Sequence, residues 1–189
     1  RGFAVATPHA ADRCIPVARS PIPLPEAPRE IARGDAAWPA GLDDLPEPPA
    51  VLRIAGRLPP LARAVAVVGT RYADADALAF ARRLGSDLAT LGATVISGGA
   101  LGIDAAAHEG ALDSGGDTIA VLATGFDSAY PPVHAPLFAE IAGRGALVTE
   151  APDGSPPLRQ AFLRRNGLIA ALAQAVVVVQ APVRSGALS

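Results

Sequence analysis

Lysine is absent from this 189-residue chain, so every fixed side-chain cation is an arginine. Any phosphate contact must therefore be made by a planar, forked donor. The single cysteine, Cys14, excludes an internal disulfide, and with only 3 histidines the chain has no cluster at metal-ligand spacing. Aromatic residues make up 4% of the chain, which leaves a core of small branched side chains, as parallel sheets often have. No apolar run approaches the roughly 20 residues that cross a bilayer. The N-terminus also lacks the charge, apolar core and cleavage site of a secretory signal. These absences lead us to expect a cytoplasmic protein with no membrane, metal or cofactor attachment. Positive charge is not in excess either. The formal net charge is -2, and residues 64–189 hold eight Arg against eleven Asp plus Glu. A broad electrostatic grip on nucleic acid is thereby excluded, and any DNA site must be a local patch.

What is present is an apolar half of the sequence arranged in a regular rhythm. Residues 1–35 read as an irregular extension, with the proline density of Ser20 to Pro28 typical of an extended linker. Trp38-Pro39 and Pro46-Glu47-Pro48-Pro49 punctuate an entry segment before a short strand at 51–55. The continuous run Ala64-Val65-Ala66-Val67-Val68 then reads as a buried parallel strand ending at Gly69. Leu78, Ala81, Leu84, Leu88 and Leu91 recur at helical spacing before Gly92. Further strands are expected at 93–97, 118–122, 146–149 and 175–179, and helices at 102–112, 136–144 and 158–173. This alternation predicts an α/β fold of extended Rossmann-like type over residues 36–189, mainly a parallel sheet with helices on both faces. Ligands of such sheets settle at the carboxyl ends of the strands, where the strand order reverses.

The unusual residues fall at those ends. Gly69-Thr70-Arg71 follows the first strand of the run: glycine admits a close approach, and arginine forks onto phosphate. Ser97-Gly98-Gly99-Ala100-Leu101-Gly102 leads from a strand into a helix, where exposed amides and the helix dipole attract an anion. The same glycines also suit a plain tight turn. Arg164, Arg165 and Asn166 gather on the helix before the last strand, as a ligand site or as a solvated face. Asp104 and His108, four residues apart, read as an i,i+4 contact rather than a metal pair. Glu150 stands where general bases often lie, or where an arginine needs a partner. No Ser-His-Asp order, HExxH or Cys-His pairing suggests a nucleophile, so catalysis is not expected.

Taken in order, these segments resemble the DNA-processing protein A family, also called DprA or Smf. The resemblance rests on Trp38-Pro39 through Val51-Leu52, Val67-Val68-Gly69-Thr70-Arg71, and Ser97 through His108. It continues in Tyr130-Pro131, Glu150, Phe162-x-x-Arg165-Asn166 and Ser185-Gly186-Ala187-Leu188. It implies a non-catalytic protein that binds single-stranded DNA, serves natural transformation and recombination, and loads a RecA-type recombinase. A homodimer is an assembly it allows. By the same resemblance Gly69, Thr70, Arg71, Ser97, Gly98, Gly99, Gly102, Arg164, Arg165 and Asn166 would line the DNA site, with Phe126, Tyr130 and Phe162 as stacking candidates. The chain departs from the family pattern at His134, Leu163, Gly167 and Gln180, and Gly167 removes a basic residue usual there. It stops inside the Ser-Gly-x-Leu motif, so a C-terminally incomplete domain is expected. Two other readings stay open. One is a nucleotide-binding or nucleotide-hydrolysing Rossmann-like protein, although the Pro-Gly-Gly-x-Gly-Thr-x-x-Glu loop of the phosphoribohydrolases is missing. The other is a folded remnant that no longer binds.

Overall fold

A computed structural model describes residues 20–181. Seven strands form one sheet: β1 (Arg29–Ala32), β2 (Val51–Gly56), β3 (Ala64–Val68), β4 (Thr94–Ser97), β5 (Thr118–Val121), β6 (Ala146–Thr149) and β7 (Ala175–Val178). Four helices accompany them: α1 (Ala75–Thr90), α2 (Ile103–Asp113), α3 (Ala135–Arg144) and α4 (Arg159–Leu172). The strand order is β1-β2-β6-β5-β4-β3-β7. Strands β3 to β7 run parallel, while β1 and β2 add an antiparallel edge.

The apolar runs explain the layering. Every residue of β4, β5 and β6 is buried, as expected for strands covered on both faces. Ile54, Ile96, Val121 and Val148 point to one face, where Leu168, Ile169 and Leu172 of α4 and Leu42 of a 3-10 turn (Ala40–Asp44) complete a core. The alternate residues Ala55, Ala120 and Leu147 point the other way, onto Phe138 and Ile141 of α3. Val67 and Val95 meet Ala81 of α1 and Ala107 of α2 on that same side. Successive crossovers through α1, α2 and α3 carry the chain from β3 to β6. Helix α4 then returns across the opposite face to set β7 beside β3, so the order reverses between those two strands.

The helices begin where local chemistry allows. Asp74 caps α1 by accepting from the Ala77 amide at 2.8 Å, and Gln180 donates to the other Asp74 oxygen at 2.7 Å. Gly92, in the left-handed region at φ 71°, turns the chain from α1 toward β4.

The N-terminal reading needs correction. Arg29–Ala32, inside the stretch expected to be irregular, pairs with β2 as a strand. Only Ile31 of its four residues is buried, so the segment lacks the apolar run that marks the central strands. The proline-rich stretch is also anchored rather than free. Ile22 is buried against the loop after β5, with its amide donating to the Phe126 carbonyl at 3.1 Å. The Ser185 to Leu188 motif lies outside the described residues, and no described helix is long and apolar enough to cross a membrane.

Candidate functional site

The loops after β3 and β4 come together over the N-terminus of α2. The Ile103 amide donates to the Thr70 carbonyl at 3.3 Å, and Thr70 N–H donates to the Gln180 carbonyl at 2.7 Å, tying in the end of β7. Gly102 makes this approach feasible. It caps α2 at φ 81°, and a Cβ there would stand 2.4 Å from the Thr70 carbonyl oxygen. Gly69 is equally confined, packed against Ile103 and the Gln180 carbonyl.

Beside this junction Arg71, Gly98, Ala100, Leu101, Tyr130, Pro131, Phe162 and Arg165 line a small cavity of about 60 Å³. Arg71 reaches it from the loop after β3 and Arg165 from α4. Their guanidinium carbons stand 5.3 and 5.7 Å from the centre of the Phe162 ring, while Tyr130 lies tilted against that ring at 5.4 Å. Arg165 is buried, and burial pulls its pKa down; Asp104 opposes this, and the like charge of Arg71 adds to it. Its Nη1 lies 4.0 Å from Asp104 and 3.4 Å from the Val121 carbonyl, and its Nε has no partner. The guanidinium fills the space a side chain at Gly98 would need, since a Cβ there would fall 1.3 Å from Nη1. This is a buried cation with an incomplete set of acceptors, aligned with a second cation. Such a site can hold an anion.

The glycine loop does not offer all its amides to a ligand, as the sequence reading expects. The Gly98 and Ala100 amides donate to Asp104 Oδ2 at 3.2 and 3.3 Å. Burial pushes the Asp104 carboxyl above the usual carboxylate range, against the pull of Arg165 and these amides. Asp104 is thus a brace for the loop, not a partner of His108. His134 is a second brace missed at the sequence level: its Nδ1 lies 2.9 Å from the Gly99 carbonyl, and its ring stands edge-on to Phe138. Gly99, at φ 66°, has no room for a side chain above Phe138. Ser97 is structural, donating its hydroxyl to the Val67 carbonyl at 2.7 Å. Asn166 lies half-buried on α4, next to Arg165.

Arg164 points elsewhere. Its Nε and Nη2 donate to Glu150 at 2.6 and 2.9 Å, and Nη1 donates to Glu47 at 3.0 Å. The paired carboxylates push its pKa up. Its fork is already occupied by protein, and so is the one candidate base, Glu150. Arg164 and Arg165 both border a wider groove of about 600 Å³ on the α4 side, walled by Pro49, Val51, Pro152 and Leu158. Among the described residues no group of three His, Cys, Asp or Glu is placed to hold a metal.

His108 is fully buried. Thr118 Oγ1 donates to the Val95 carbonyl at 2.9 Å, so the 2.7 Å contact to His108 Nδ1 requires the imidazole N–H to donate. Burial, with the charges of His134 and Arg165, pushes its pKa down to about 3. The unfolded chain binds this proton near pH 6.5 and the folded chain does not, so the contribution is complete above pH 6.5 and declines toward pH 3. Acidification to pH 5 is expected to cost about 2 kcal/mol through this residue alone. Urea unfolding at pH 7 and pH 5 should show a smaller acid loss in His108→Asn. Equal losses in both proteins would remove His108 from the linkage.

A mainly parallel sheet covered on both faces, with two arginines converging near its switch point, defines an α/β domain of Rossmann-like type. The DNA recombination-mediator protein A family model matches residues 29–189, and the chain belongs to that family. A putative DNA processing protein DprA of Mycobacterium tuberculosis is 55% identical over 66% of this chain and 32% of its own length. Protein Smf of Synechocystis is 42% identical over 85% of this chain and 42% of its own. The chain thus spans about a third to two fifths of these relatives. The structure of DNA processing protein A from Helicobacter pylori, described for its single-stranded DNA binding mode, superimposes with a TM-score of 0.78. It is 30% identical, over 89% of this chain and 75% of that one. The Streptococcus pneumoniae DprA structure gives 0.78 as well, at 33% identity over 85% of this chain and 56% of that one.

Proposed function

We propose that this chain binds single-stranded DNA without catalysis, holding a backbone phosphate between Arg71 and Arg165. The observation that carries this reading is the convergence of the two guanidinium groups on Phe162 beside the N-terminus of α2, one of them buried with an unpartnered Nε. The cavity of about 60 Å³ suits a phosphate. It lies well below the roughly 300 Å³ and more of pockets that enclose a small ligand whole, which disfavours a nucleotide substrate there. Glu150 is engaged by Arg164, which disfavours it as a hydrolytic base. The single-stranded DNA named for the Helicobacter pylori relative agrees with this chemistry. Membership of the family supports a wider role in cytoplasmic DNA processing, natural transformation and recombination, with handover to a RecA-type recombinase and a homodimer as an assembly the family allows. Of the arginines expected at the site, Arg71 and Arg165 contact DNA and Arg164 braces the neighbouring groove. Gly69, Thr70, Gly98, Gly99, Gly102 and Asn166 shape the pocket around the strand.

The test is a titration of labelled oligo-dT, followed by fluorescence anisotropy over a range of salt. Arg71 is exposed, so Arg71→Ala leaves the fold intact. Its slope of log affinity against log salt should fall by about 0.7, the value for one phosphate on a single strand. Binding that ignores salt, or that AMP displaces at low concentration, would overturn the proposal.

A further inference from the structure

The aromatic side chains expected to stack on bases are engaged within the fold, although Tyr130 keeps 36% of its surface open. Phe126 is buried, with the Arg53 guanidinium over its ring. Phe162 faces Arg71 and Arg165, and Tyr130 leans on Phe162. Those rings build the phosphate pocket. Tyr72 is different: it is 92% exposed, and among the described residues no ring or cation contact covers it. An aromatic ring left this open buries almost none of its apolar area in the fold.

Its position is fixed all the same. The Tyr72 amide donates to Thr70 Oγ1 at 3.2 Å, closing a tight turn after β3. The Thr70 and Arg71 carbonyls of that turn rest against Gly102 at the start of α2. Tyr72 therefore follows Arg71 directly on a braced loop, with neighbouring Cα atoms about 3.8 Å apart. Leu101, 42% exposed and itself part of the pocket lining, extends the open apolar surface. In a single strand each base hangs from the sugar beside its phosphate. A phosphate held by Arg71 thus brings an unpaired base into reach of the next side chain along.

We propose that Tyr72 is the stacking platform of this site, holding an unpaired nucleobase of the strand whose phosphate Arg71 binds. The assignment rests on the proposed single-strand reading and adds a base-dependent part to it. Stacking accepts any base, because every base has a π face, so it favours single strands over duplex without reading sequence. A duplex keeps its bases stacked inside, and Tyr72 has nothing to take from it.

The experiment compares the full chain with Tyr72→Ala and Tyr72→Phe, on oligo-dT and on an abasic phosphodeoxyribose oligomer of equal length. Tyr72→Ala should bind oligo-dT about tenfold more weakly. Its salt slope should be unchanged, and Tyr72→Phe should bind like the parent. On the abasic oligomer the three proteins should bind alike, since the phosphates remain and the bases are gone. Wild-type affinity of Tyr72→Ala for oligo-dT, or an equal loss on the abasic strand, overturns the stacking role while leaving the Arg71 phosphate site standing. Absence of salt-sensitive binding by the parent chain overturns both.

Discussion

Replacing Arg165 by alanine is expected to weaken single-strand binding about thirtyfold and to destabilise the fold by about 3 kcal/mol. The binding loss follows from removing one charge-assisted contact to phosphate, worth about 2 kcal/mol. The stability loss has a separate origin. Asp104 is buried, and without Arg165 its charge is left with neutral donors such as the Gly98 and Ala100 amides. Breaking a buried ion pair from one side leaves the other charge stranded, at a cost of about 3–5 kcal/mol. The 4.0 Å separation of this pair places it at the lower end. Two further measurements separate the effects. Asp104→Asn in the Arg165→Ala background should recover much of the stability in urea, because a neutral amide can still accept from the loop. It should recover none of the DNA affinity. The stability deficit of Arg165→Ala should also shrink as pH falls through the raised Asp104 pKa, where protonation removes the stranded charge. A deficit that does not change with pH would place the cost elsewhere, in lost packing of the arginine stem.

Gly110→Ala carries the second large effect, through the α1–α2 crossing. A Cβ on Gly110 would stand 1.9 Å from the Arg82 carbonyl oxygen of α1, and one on Gly85 would stand 2.2 Å from the Ala107 carbonyl oxygen of α2. The two helices touch backbone to backbone there. The Arg82 side chain also clamps them by ion pairs to Glu109 and Asp113. Relief requires the helices to separate, at about 3 kcal/mol for overpacking, against about 1 kcal/mol gained from the better helix former. A net loss of about 2 kcal/mol is expected in urea unfolding. Because α2 begins at Gly102 and carries Asp104, single-strand binding should weaken with it. Gly143→Ala on α3, where a Cβ meets nothing within 4 Å, is the matched control and should stabilise by about 0.5 kcal/mol. If Gly110→Ala behaved like Gly143→Ala, the close crossing would not be a constraint.

The sequence by itself determined the central strands and the helices between them, and it marked the loops after β3 and β4 as the candidate site. Strands β3 to β6 were legible because strands buried on both faces are mostly apolar, with only small Thr and Ser hydroxyls among them, and glycine or a turn ends them. Gly98, Gly99 and Gly102 stood out for a similar reason: a loop whose backbone packs against neighbouring groups has no room for side chains. Strand β1 was not, because an edge strand with one buried side chain carries no periodic signal. The roles of neighbours along the chain were settled only by tertiary structure. Arg164 and Arg165 are adjacent on one helix, and successive helical residues point about 100° apart. One reaches Glu150 and Glu47 while the other reaches the carboxyl ends of the central strands β4 and β5 beside Gly98. Likewise Asp104 and His108 share a spacing that suggests contact, yet β4 and the glycine loop claim the first and Thr118 the second. Residue type and spacing state what a side chain is able to do. Which partner it meets depends on strands and loops distant in sequence, and only the packed sheet brings those within reach.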